Sequence, residues 1–113
     1  MSLQRDYLLR IIEAFAQAMA RILTLRRAGQ HEAAKQEIAA AARSLFGVDL
    51  GLLEAVGAGP VAAQLGHPEK VEALAKLLDE RAGVERDRGD EAAAGRWAAR
   101  AAALRAHAAA RPR

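Results

Sequence analysis

The chain of 113 residues has no cysteine and no asparagine. Disulfide staples, thiolate metal sites and thiol catalysis are excluded at once. Ser2, Thr24 and Ser44 are the only aliphatic hydroxyls, so a serine or threonine nucleophile has almost no candidates. Aromatic residues stop at Tyr7, Phe15, Phe46 and Trp97, and β-branched residues are scarce, which argues against an all-β fold. Long apolar runs are missing too. The longest stretch free of Asp, Glu, Lys and Arg runs from Ala55 to Pro68 and holds three glycines and two prolines, short of the roughly 20 apolar residues that span a bilayer. Arg5, Asp6, Arg10 and Glu13 interrupt any leader-like segment. The expectation is a soluble cytoplasmic protein with no membrane segment.

What the chain has in excess is alanine. Hydrophobic residues make up 52% of the sequence, yet 30 residues are alanine, so bulky side chains are few. Alanine, leucine, arginine and glutamate all favour helices. The length fits one domain, and the expected class is all-α.

From Leu8 to Leu25 the apolar residues follow a helical period. Leu8, Ile12, Phe15, Met19 and Ile22 fall on one face, and Leu9, Ile11, Leu23 and Leu25 widen it. The apolar arc covers roughly 200°, more than one neighbour needs. Gly29 ends this helix behind Arg26 and Arg27. A second helix is expected from about Gln30 to Phe46, with Ala34, Ile38, Ala41 and Leu45 inward. Residues 47–67 read as a compact connector packed by leucines, with Asp49 as an N-cap. Pro68 opens a third main helix reaching about Arg88, with Val71, Leu74, Ala75, Leu78 and Ala82 inward. A fourth starts near Asp90 and carries Ala94, Trp97, Ala101, Leu104 and Ala108 on its seam.

Two segments are built alike, LRRAGQHEAAKQEIAAAARSL (25–45) and ERDRGDEAAAGRWAARAAALR (85–105). In each, a helix ends on glycine, an acid follows at the new helix start, and small residues recur along the second helix. Glycine permits the tight turn, and alanines let antiparallel helices approach closely.

The spacing of Gly29 to Ala34 and of Gly89 to Ala94 resembles the tetratricopeptide repeat, in which a turn glycine and an alanine five residues on recur in each helix pair. The Trp, Tyr and Pro of the full signature are absent from their places. With DYLLRII at 6–12 and HPEK at 67–70, the chain is also similar to small bacterial tetratricopeptide-like proteins of unknown function. The resemblance implies a single domain over residues 1–110. Its first hairpin covers about 3–46 and its second about 68–108, joined by the connector, with 109–113 as a frayed tail. It implies no catalytic residue and no cofactor. About three repeats are needed to bury a continuous core, and two helix pairs fall short of that. The wide face of the first helix, Leu8, Ile12, Phe15, Met19 and Ile22, is therefore expected to meet a partner, most simply a second copy in a homodimer.

Candidate chemistry is thin. His31, His67 and His107 have no mutual ligand spacing. The run GAGP at 57–60 lacks the Gly-Lys-Ser/Thr ending of a phosphate loop. Nine of the thirteen residues from Asp79 to Glu91 are charged, with both signs interleaved, which reads as a solvated, internally neutralised helix end. No catalytic, cofactor or metal site is expected. The pI near 9.9 comes from the end of the chain, where residues 96–113 hold five arginines and no acid. Arg96, Arg100, His107 and Arg111 share one helical stripe, with Arg105 opposite. Binding of a nucleic acid or another acidic partner along that stripe is the alternative to the interaction reading.

Overall fold

A computed structural model describes residues 3–110 of the chain. Those residues form six α-helices and no strand: α1 (Leu3–Arg27), α2 (His31–Phe46), α3 (Leu53–Val56), α4 (Ala58–Leu65), α5 (Pro68–Asp87) and α6 (Glu91–Ala110). The four long helices stand where the periodicity places them. The connector holds the two short ones, entered through a 3-10 turn at Leu50–Leu52. The Asp49 carboxylate accepts the Gly51 N–H at 2.8 Å and so caps that turn. Val48, Leu50, Leu53, Val61, Ala62 and Leu65 tuck into the core, whereas Leu52 and Val56 stay exposed. Ala109 and Ala110 continue α6; the rest of the expected tail lies outside the described residues.

The two glycine turns are closed by the same hydrogen bonds. At the first, Gly29 N–H donates to the Arg26 carbonyl and Gln30 N–H to Leu25. At the second, Gly89 N–H donates to Arg86 and Asp90 N–H to Glu85. Both glycines sit at positive φ, 73° and 88°, which a side chain would disfavour. Beyond each turn the alanines are interior: Ala34, Ala41, Ala94 and Ala101 are all buried. The second turn adds a cap that the first lacks, because Asp90 Oδ1 accepts the Ala93 N–H at 3.0 Å.

Side-chain pairs fix the helix directions. Phe15 meets Phe46 edge-on with ring centroids 6.4 Å apart, and Arg21 bonds Glu37, so α2 runs antiparallel to α1. Arg105 bonds Glu72, and Arg81 lies over Trp97, so α6 runs antiparallel to α5. Lys70 lies over the Tyr7 ring, while Arg26 reaches Glu80 and Asp87. Helix α5 therefore runs parallel to α1. It is the central element, in contact with α1, α2, α4 and α6, and Val71, Leu74, Leu77, Leu78 and Val84 on it have no exposed surface.

One expectation about α5 holds only in part: the charges from Asp79 to Glu91 do pair with one another, Arg81 and Arg88 with Glu85 and Arg86 with Glu91. The charged run from Asp79 is not simply a solvated helix end: Ala82, Gly83, Val84 and Glu85 are buried. The Glu85 carboxylate is held by Arg81 Nε at 2.9 Å and by an Arg88 terminal nitrogen at 2.8 Å. With α1, α2 and α6 all packed on this helix, charge density in the sequence does not report exposure. A buried carboxylate persists there because each of its oxygens has a charged donor.

Candidate interaction surface

The core-facing residues of α1 are Ile11, Phe15, Ala18 and Ile22. Phe15 and Ile22, expected at a partner interface, are thus covered by this chain's own helices. Leu8, Ile12 and Met19 are only partly buried. The buried face is rotated from the expected one by roughly 50° at 100° per residue. What remains on the outer side is a second apolar strip of Leu9, Ile12, Ala16, Ala20 and Leu23, of which Leu9, Ala16 and Ala20 are exposed. The arc of α1 is wide because it takes in both the buried face and this outer strip.

Among the described residues five large hydrophobic side chains are exposed, and Leu3, Tyr7 and Leu9 of these lie in the first two turns of α1. Leu9 is on this strip, and Leu3 and Tyr7 lie roughly 100° or more around the helix from it. An open groove runs along the helix, lined by Asp6, Leu9, Arg10, Ile12, Glu13 and Ala16. Ile12 also lines a neighbouring groove between α1 and α5, with Phe15 and Ala73 as its apolar floor and Glu69, Glu72 and Lys76 among its polar residues. Lone exposed leucines are ordinary on protein surfaces; Leu9 differs in lying on a strip with the exposed Ala16 and Ala20 and the partly buried Ile12 and Leu23.

The arginine stripe is divided by its neighbours. Arg100 pairs with Glu54 at 3.0 Å, and its guanidinium lies 4.5 Å from the Trp97 ring centre. The His107 ring lies against Gly59 of α4, where a β-carbon would come within 3.1 Å of it. Arg96 is exposed, and Arg111 lies outside the described residues. Arg105, on the opposite side, bonds Glu72 and comes within 2.9 Å of Asp79. These contacts hold the Arg105 proton more tightly than usual, since two hydrogen-bonded carboxylates outweigh burial. The hydrogen bond from Arg105 in turn draws the Glu72 carboxyl below its ordinary range, against a smaller opposing effect of burial.

A cleft of about 240 Å³ between the connector and α6 is lined by Leu53, Glu54, Gly57, Ala58, Ala99, Arg100 and Ala103, and its two charged groups neutralise each other. Among the described residues no cluster of His, Asp and Glu has the geometry of a metal cage, and no helix is long and apolar enough to cross a membrane. His31 Nδ1 at the start of α2 is buried without a hydrogen-bond partner, and nothing around it explains why. No protein-family model, no curated protein and no solved structure matches the chain.

Sequence reasoning missed the ion-pair framework that ties the helices together. Arg26 spans from α1 to Glu80 and Asp87, Arg105 from α6 to Glu72 and Asp79. The sequence signal was present as acids on α5 seven residues apart, two helical turns on one face. Their partners are distant in sequence, so spacing alone could not name them.

Proposed function

We propose that the chain is a non-catalytic protein–protein interaction unit of tetratricopeptide-like architecture that binds a second copy of itself through α1. The observation that carries this reading is the exposed apolar strip on α1, with Leu9 53% exposed beside the groove that runs to Ala16. Burying the exposed half of such a leucine contributes about 1 kcal/mol, and a two-fold interface counts it twice. The architecture is supported by two antiparallel helix pairs with matching glycine turns, whose leading helices α1 and α5 run parallel. It departs from a plain repeat array in its connector, where α4 packs on α6.

The alternative, an acidic partner held by Arg96, Arg100, His107 and Arg111, has weaker support because Arg100 is neutralised by Glu54. The two readings differ in their salt response. Apolar association changes little between 0.05 and 0.5 M salt, whereas phosphate binding falls steeply. Sedimentation at both salt concentrations, with the Leu9→Glu variant alongside, tests the proposal. It predicts a salt-tolerant dimer that Leu9→Glu converts to a monomer. A variant that still dimerises as tightly as the native chain would remove α1 from the interface.

A further inference from the structure

Resting on the self-association reading, the geometry points to one arrangement: two copies pack α1 against α1 antiparallel, about a two-fold axis between Ile11 and Ile12. The α1 groove supplies the argument. Leu9, 53% exposed, is the most exposed bulky apolar side chain of its lining, which ends on the small methyl of Ala16. Turning a second copy end for end about position 11.5 places Leu9 opposite position 14 of that copy, between its Ile12 and its Ala16. A bulky side chain then lies beside a small one on both sides of the axis, as knobs-into-holes packing requires.

The charges obey the same operation. Arg10 and Glu13 lie on one flank of the strip, on the side away from α5, and both are exposed. Among the described residues neither forms an ion pair within the chain. Under a two-fold axis perpendicular to antiparallel helices, each flank faces its own counterpart. Arg10 therefore stands opposite Glu13 of the second copy, and Glu13 opposite its Arg10. Asp6 comes opposite Gln17 of the second copy, which brings no like charge. A parallel pairing would instead turn this flank toward the opposite flank of the second copy, so that neither Arg10–Glu13 pair could form. The face is complementary to itself in one orientation.

The absence of cysteine makes the arrangement directly readable by cross-linking. A disulfide forms only where the two Cα atoms lie within about 7 Å. Position 12 lies about 1.5 Å along the axis from its own copy's position, and position 9 lies about 7.5 Å from its own. Under mild oxidation Ile12→Cys should link to itself. Leu9→Cys alone should not, but an equimolar mixture of Leu9→Cys and Ala16→Cys should give the mixed dimer. Independently, Arg10→Glu should weaken dimerisation about fivefold or more, Glu13→Arg should do the same, and the double exchange should restore it, because the pairs are re-formed with reversed sign. Self-linking of Leu9→Cys, an unlinked mixture, or a double exchange no tighter than either single variant would overturn this arrangement. If the unmodified chain still sediments as a dimer in that case, self-association through some other geometry stands. A chain that is monomeric throughout would overturn both.

Discussion

The guanidinium of Arg26 lies directly over Gly83. A β-carbon on that glycine would fall 2.5 Å from the guanidinium carbon and from both terminal nitrogens. Arg26 passes there between Glu80, at 2.7 Å, and Asp87, at 3.1 Å. Burial alone would loosen its proton, but the bonds to these two acids outweigh that and hold it more firmly than usual. The glycine is what allows α1 to fasten to α5 at this end.

That relationship sets the outcome of Gly83→Ala. Alanine in a helix interior is favoured over glycine by about 1 kcal/mol, but here the new methyl displaces Arg26 from its acids. In an Arg26→Ala background the full gain of about 1 kcal/mol should return. Urea unfolding of the four proteins in a double-mutant cycle measures it. A coupling of about 1 kcal/mol is expected, and additive effects would contradict the contact.

Core and outer face of α1 should separate by substitution. Ile22 is fully buried, and Ile22→Ala should cost about 3 kcal/mol. Leu9→Ala should leave the stability of the isolated chain within about 0.5 kcal/mol while weakening self-association. Chemical denaturation at low protein concentration gives the first quantity, and sedimentation the second. Equal destabilisation by both would mean that the buried face had been misplaced.

Glu85 offers a third test, with Trp97 as the reporter. Glu85→Ala leaves Arg81 and Arg88, whose side chains are 18% and 41% exposed, without their carboxylate and should cost about 1–2 kcal/mol. Arg81 lies 4.6 Å from the centre of the Trp97 ring, and this is the only tryptophan. Its fluorescence should shift in the folded variant. A native-like spectrum and unchanged stability would show that the buried pair is dispensable.

The pH dependence has a definite sign at Glu72. Its folded pKa lies below the ordinary 4.5 because Arg105 bonds the carboxylate. Its contribution to stability is therefore present above about pH 4.5 and lost as pH falls through the lowered value. Arg105, held protonated far above working pH, adds no slope of its own. The stability difference between the native chain and Glu72→Gln should shrink as pH drops from 6 to 3. High salt should shrink it as well, since Glu72 is 46% exposed. A difference constant across that range would contradict the pairing.

Much of the fold was legible in the sequence, for a physical reason. Helix period, glycine C-caps and the proline at α5 are local signals, and the four long helices follow from them. The inward alanines at 34, 41, 94 and 101 followed from the repeat. The rotation of α1 did not. Leu8 and Ile11 are equally apolar, and only the positions of α2 and α5 decide which is covered. Glu85 escaped for the same reason, because its burial depends on helices distant in sequence. The candidate surface was half legible: an apolar arc of roughly 200° announced a second surface on α1 without saying which residues would form it.

The central claim is that the outer face of α1 joins two copies of the chain. Sedimentation of the unmodified protein from 1 to 100 μM tests it most directly. The weight-average mass should rise from that of the 12.0 kDa chain toward twice that value, at low and high salt alike. A mass that stays at 12.0 kDa across the whole range would contradict it.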